Sequence, residues 1–233
     1  MSQGYLDIMG IWGSSPSNVY AVGIGTGKSF LLHYDGRSWK LLMVTHFGVQ
    51  LQRIRGEEGN IYIGGGSNYH AGIPDTNYIY KYAEGRLQLI NSRASNREGT
   101  LWINNIGNQT YFVNGDRLET YRANEFIRAA GQFAPIMTVP EPLLGVSGRN
   151  SKDLFLYTWN GIMHYNGTNT KYLFGIPEDM PGPVFRELIF KQEVFFTTWG
   201  GNSGNHESGL SRSFTRYNET TLSAFINLMS NSL

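Results

Sequence analysis

Apolar and polar residues alternate along this chain in short runs, each closed by glycine, proline, asparagine or aspartate. That is the pattern of half-buried strands joined by tight turns. The first segment shows it best. Gly10-Ile11-Trp12-Gly13 passes through Ser14-Ser15-Pro16-Ser17 into Asn18-Val19-Tyr20-Ala21-Val22-Gly23. Phe30-Leu31-Leu32-His33-Tyr34 follows a glycine cluster, and Asp35-Gly36 turns the chain into Ser38-Trp39-Lys40-Leu41-Leu42. These predict four short strands, a to d.

The same grammar returns four times. The predicted units span about 6–43, 50–91, 92–121, 143–174 and 184–229, and the a strand of the third, near Ser92 to Ser95, is the poorest. One aromatic marks each b strand: Tyr20, Tyr62, Trp102, Phe155 and Phe195. Their steps of 42, 40, 53 and 40 residues suit the roughly 40–45 residues of a four-stranded propeller blade, with an insertion in the long step. The expectation is an all-β chain, a single five-bladed β-propeller of four-stranded antiparallel blades over residues 1–233. A closed ring would leave the chain a monomer.

At Trp12-Gly13-Ser14-Ser15-Pro16, Asn18-Val19-Tyr20-Ala21-Val22-Gly23 and Leu32-His33-Tyr34-Asp35-Gly36 with Trp39, the sequence resembles a bacterial propeller repeat of the form W-G-S-S-P-x-D/N-V-x-A-V-G followed by L-H-Y-D-G-x-x-W. The fourth unit matches it partly. The resemblance implies a propeller of an exported or surface protein, and no particular activity, because propellers host many functions.

Composition narrows the chemistry. Glycine supplies 29 of 233 residues, aromatics 14% and charged residues only 16%, a balance suited to many turns. A net charge of +1 provides no general field for nucleic acid or an anionic membrane. No apolar run approaches the ~20 residues of a spanning helix, and the absence of cysteine removes disulfides, thiolate metal sites and cysteine nucleophiles.

Several local motifs have plainer readings. Gly23 to Ser29 imitates a phosphate-binding loop, but Val22 stands where the first glycine is required and a strand follows instead of a helix. His33 and His164 occupy equivalent places in two units, so repetition explains them better than a metal. His70 and His206 lie in corresponding loops without the spacing of zinc ligands, and no metal or cofactor is expected. Asn108, Asn166 and Asn218 head glycosylation sequons but sit at hairpins, where asparagine is common. A glycosidase needs at least two converging acids; only Asp7 and Glu187 fall clearly on predicted inner strands, while Asp35, Glu84 and Asp116 sit at hairpins, so no catalytic residue is assigned.

Two binding features remain. Arg53, Arg55, Arg93 and Arg186 fall on or near predicted a strands and could form a ring that attracts an anion. Pairing with Glu57, Glu58, Glu98 or Glu187 is the preferred alternative. The long segments at 64–78, 122–142, 175–183 and 199–211 are all b–c or d–a connections and would share one face. That face carries Tyr69, His70, Trp199, Asn202 and His206, aromatics and hydrogen-bonding groups suited to a glycan or a protein. Residues 122–133 predict a short helix beside it, from Asn124 to Gly131. The expected function is noncatalytic ligand binding on that face. The alternatives are a propeller glycosidase or lyase, and a scaffold piece of a larger surface protein, since no export signal precedes the first strand.

Overall fold

The computed structural model describes residues 6–45, 48–57, 59–67, 76–94, 101–114, 117–128, 143–158, 161–175, 184–200, 211–218 and 222–228. The chain divides into two compact units, Met1–Arg128 and Ala129–Leu233. In the first unit, β1 (Leu6–Ser15), β2 (Asn18–Gly25), β3 (Lys28–Tyr34) and β4 (Trp39–Val44) form one four-stranded antiparallel sheet. A second follows from β5 (Val49–Glu57), β6 (Asn60–Ser67), β7 (Thr76–Ala83) and β8 (Arg86–Ala94). The third comprises β9 (Leu101–Ile106), β10 (Gln109–Asn114), β11 (Arg117–Arg122) and β12 (Glu125–Arg128).

The second unit repeats the scheme with β13 (Leu143–Asn150), β14 (Asp153–Thr158), β15 (Gly161–Tyr165) and β16 (Thr170–Gly175). Its other sheet contains β17 (Val184–Ile189), β18 (Glu193–Gly200), β19 (Ser211–Asn218) and β20 (Leu222–Leu228). In every sheet the strands lie side by side in chain order, as tight antiparallel turns require.

The third sheet starts later than its sequence pattern suggests. Ser92 to Ala94 belong to β8, the last strand of the second sheet, and Trp102 lies on the first strand of the third. The b-strand aromatic is therefore Tyr111, which makes the steps 42, 49, 44 and 40 residues. The helix expected from Asn124 is instead a hairpin turn followed by β12. Ala123 and Asn124 have φ of 49° and 65°, and two consecutive left-handed residues form the primed turn that suits strand twist.

Sheets in the first unit pack face to face through apolar seams. Val22 and Leu31 of the first sheet bury against Leu51, Ile54, Ile61 and Ile63 of the second, while Tyr62 and Ile79 of the second meet Leu101, Ile103 and Phe112 of the third. Trp12 closes the first seam from one end. Its ring occupies the space where a Cβ on Gly56 would stand, 2.3 Å away, so Gly56 has to be glycine for β1 and β5 to approach.

Polar bonds fix the same seam. The buried Ser29 hydroxyl donates to Val49 O (2.9 Å) and accepts from Leu51 N–H (2.8 Å). The segment that imitates a phosphate loop is thus a hairpin between β2 and β3, turned at Thr26 and Gly27 with φ of 46° and 79°. Its serine ties two sheets together.

The two faces of the first sheet differ. By register, Ile8 and Ile11 correspond to Leu51 and Ile54. Leu51 and Ile54 are 0% exposed, whereas Ile8 and Ile11 are 55% and 58% exposed. Ile54→Ala removes a fully buried side chain from the first seam and should cost about 2–5 kcal/mol. Ser29→Ala leaves the Leu51 N–H without its acceptor, while Val49 O keeps the Thr45 hydroxyl, and should cost about 1–3 kcal/mol. Urea unfolding of the two variants checks both values; a loss below about 0.5 kcal/mol in either would contradict the seam as described.

Candidate functional site

A polar arrangement recurs where the second and third strands of a sheet run side by side. In the first sheet, Asn18 opens β2 and His33 lies near the end of β3. The Asn18 amide nitrogen donates to Ser14 Oγ (2.7 Å), leaving its oxygen to accept from His33 Nε2 (2.8 Å). The imidazole stacks on Tyr20 at 4.4 Å between centroids. In the fourth sheet, Asp153 takes the place of Asn18 and Arg149 that of Ser14. Asp153 accepts from His164 Nε2 (2.7 Å) and from Arg149 (2.5 Å), and His164 stacks on Phe155 at 4.8 Å.

These bonds explain the repeated Asp/Asn and His of the motif as internal supports of a sheet. Burial works to raise the Asp153 pKa, but the bonds from His164 and Arg149 and the Arg149 charge outweigh it, so the carboxyl sits below its ordinary value. The hairpins beyond are capped alike. Asp35 accepts from Arg37 N–H and Ser38 N–H, and Asn166 accepts from Thr168 N–H and Asn169 N–H.

Three of the four predicted arginines, Arg53, Arg55 and Arg93, have described side chains, each with a neighbour of its own. Arg53 and Arg55 lie on the first strand of their sheet, as expected, but turn toward the third sheet. Arg53 lies over the Trp102 ring at 4.3 Å and Arg55 donates to Asn104 (3.4 Å). Arg93 is on β8, a fourth strand, and its guanidinium pairs at 3.5 Å with Glu119, a carboxylate not among the expected partners. Arg186 is on β17, paired through its backbone with Thr197.

Tyr69, His70, Asn202 and His206 lie outside the described residues. Trp199 belongs to β18, where its backbone pairs with Arg212 immediately before the segment 201–210. The strands on either side are longer than the sequence suggests, so the two b–c connections shrink to 68–75 and 201–210. Asp7 is exposed on β1, and Glu187 lies on β17. Among the described residues no group of three or more His, Asp or Glu is placed to hold a metal ion.

Sequence reasoning missed a pocket of about 390 Å³ between the second and third sheets. Glu57 and Asn60 flank one hairpin at its rim, Asn108 and Gln109 a second, and Arg122, Ala123 and Asn124 a third; Tyr62, Lys81 and Tyr121 complete the lining. This is the face of the a–b and c–d turns, opposite the one the loop lengths favour. The hairpins are short and tied. Glu57 accepts from the backbone N–H of Thr110 (2.9 Å) and from its hydroxyl, while Gln109 accepts from Arg122 Nε (2.8 Å).

Tyr121 packs against Phe126 and Tyr62, with centroids at 4.8 Å and 6.0 Å. Burial raises its phenol above the ordinary value, so it stays protonated at neutral pH. Lys81 Nζ lies 6.0 Å from the Tyr121 ring centroid. The signal in the sequence was Lys81 itself, at the place where other units carry histidine.

No family model matches the chain, and no curated protein matches its sequence. Solved structures do. An extracellular domain assigned to a hybrid two-component system of B. thetaiotaomicron is 15% identical, covering 97% of this chain and 29% of that one, with a TM-score of 0.60. A protein from Lactobacillus plantarum is 13% identical over 96% of this chain and 71% of its own, with a TM-score of 0.61. The calcium-binding protein regucalcin of Agrobacterium tumefaciens is 11% identical over 85% and 70%, with a TM-score of 0.54. These neighbours are β-propeller proteins, and the likeness is one of fold. The chain spans less than a third of the length of the first of them.

The Asp153 arrangement sets a pH dependence. A carboxyl with a depressed folded pKa stabilises the fold above its unfolded value, about 3.9, and that contribution disappears as pH falls through the lower folded value. Asp153→Asn should keep the His164 bond, as Asn18 keeps that of His33, yet lose the charge. The stability difference between wild type and variant should be largest above pH 4 and shrink as the pH drops below it. Thermal melts from pH 7 down to 2.5 check this; a difference constant across that range would contradict it.

Proposed function

We propose that the chain is a noncatalytic binding module on a five-bladed propeller, and that it takes a hydroxyl-rich ligand of the glycan type. The observation that carries this reading is the pocket between the second and third sheets. Amides of Asn60, Asn108 and Gln109 both donate and accept, Tyr121 provides an aromatic face, and Lys81 and Arg122 provide charge. Its one carboxylate, Glu57, is committed to Thr110, whereas glycoside hydrolysis needs two acids flanking the bond.

The face of the b–c and d–a connections, with Tyr69, His70, Trp199, Asn202 and His206, is proposed as a second surface for the same class of ligand. Trp199 directly precedes the longer of its two extended b–c connections. A surface protein outside the cytoplasm is the proposed setting, in keeping with the motif. The chain is proposed to act as a monomer.

A glycan array and a hydrolysis screen on one purified sample test the binding reading. Binding without product is expected, and Tyr121→Ala should weaken it about tenfold, the loss of roughly 1–1.5 kcal/mol of aromatic contact. Trp199→Ala reports separately on the loop face. Release of reducing sugar that Glu187→Gln abolishes would replace binding with catalysis.

A further inference from the structure

We propose that the pocket between the second and third sheets selects sugars bearing one negative charge, as a carboxylate or a sulfate ester, and that Lys81 is the cation that meets it. This rests on the binding reading above and adds a separate observation, the fate of the repeated polar arrangement in the second sheet. In the first sheet the arrangement is Ser14, Asn18 and His33; in the fourth it is Arg149, Asp153 and His164.

Register identifies the same places in the second sheet. Tyr62 pairs with Lys81 as Tyr20 pairs with His33 and Phe155 with His164. Asn60 opens β6 as Asn18 opens β2, but Glu57 pairs with Asn60 as Ser15 pairs with Asn18 and Asn150 with Asp153, and the extra residue that bulges before them, Ser14 or Arg149, has no counterpart in the second sheet. The second sheet therefore keeps two of the three places, with Asn60 and Lys81, and lacks the third; both residues line the pocket, as does the neighbouring Glu57.

There the internal bonds are undone. Glu57 is drawn across to Thr110 of the third sheet, and an ammonium stands in place of the imidazole. A lysine cannot lie flat on the tyrosine as His33 does, and it has three donors to satisfy. Among the described residues Lys81 forms no ion pair; the Tyr121 ring is its recorded neighbour. A set of groups that support the sheet in two repeats is thus turned outward in a third, at a cavity.

Charge decides what that cavity favours. Arg122 is held by the neutral amide oxygen of Gln109, which leaves its charge uncompensated. Lys81 and Arg122 against Glu57 leave a balance of one positive charge in the lining. That matches a single carboxylate or sulfate, with Asn60 and Asn108 left for ring hydroxyls. A neutral sugar would satisfy the amides and leave the cation without a partner.

Titration calorimetry of the whole chain with galacturonate, galactose 6-sulfate and neutral galactose, in which each charged sugar bears a single anionic group, tests this. Either anionic ligand should bind at least about tenfold more tightly than the neutral one, the scale of one charge-assisted hydrogen bond. The advantage should shrink as salt rises. Lys81→Gln should abolish the ratio between anionic and neutral affinities, both measured in the same variant. Lys81→His restores the imidazole of the other repeats and controls for folding: at pH 8 it should keep or raise Tm and also lose the preference.

Equal affinity for the three ligands, or a preference that survives both variants, overturns the proposal. If the neutral ligand binds and Tyr121→Ala weakens it, the binding reading stands and the charge preference alone falls. If none binds, both fall. A preference confined to the sulfated or to the carboxylated ligand identifies which source of charge the pocket takes.

Discussion

A short antiparallel sheet with apolar side chains on both faces has to be covered twice, and it cannot cover itself. This constraint organises the first unit. The second sheet meets it completely, with Leu51, Ile54 and Ile63 against the first sheet and Tyr62 and Ile79 against the third. Burial of such side chains stabilises by about 1.5–3 kcal/mol each, so stacked seams can hold sheets whose own ladders are only a few residues long. Everything else is fitted around the seams: glycine where Trp12 crosses, a serine hydroxyl where β3 meets β5, and turns kept at the edges.

Once the seams fix the backbone, the edges become free to diverge. Asn18 with His33 is a neutral version of a support that Asp153, Arg149 and His164 build with charges. Both hold an aromatic ring in place beneath an imidazole. The second sheet keeps its ring, Tyr62, buried by the seam on its own account, and so has no need of the imidazole. That independence is what releases Asn60 and Lys81 to a pocket without loss of the sheet.

Much of the architecture was legible in the sequence, because alternation and turn chemistry act over a few residues. Strands β1 to β4 were visible from Gly10 to Leu42, where Ser-Pro and Asp-Gly punctuate the chain. The third sheet was not, since its last hairpin turns on Ala123 and Asn124 in place of a glycine, and the extended β8 absorbs the stretch around Ser92. Arg93 was misplaced for the same reason: a one-strand slip moves a residue from the inner strand to the outer one. The pocket depends on three hairpins brought together across a seam, a relation between distant segments that no local pattern encodes.

Loop length and ligand binding need not coincide. Long connections can reach a ligand but must be ordered to hold it, at about 1–2 kcal/mol of backbone entropy for each residue fixed. The hairpins around Asn60, Gln109 and Asn124 have already met that cost, because their strands are laddered on both sides and Glu57, Thr110, Gln109 and Arg122 lock them to one another. A small charged ligand gains more from groups fixed in advance than from groups that must be gathered. Short, tied turns beside an aromatic ring are therefore the better foundation for selectivity.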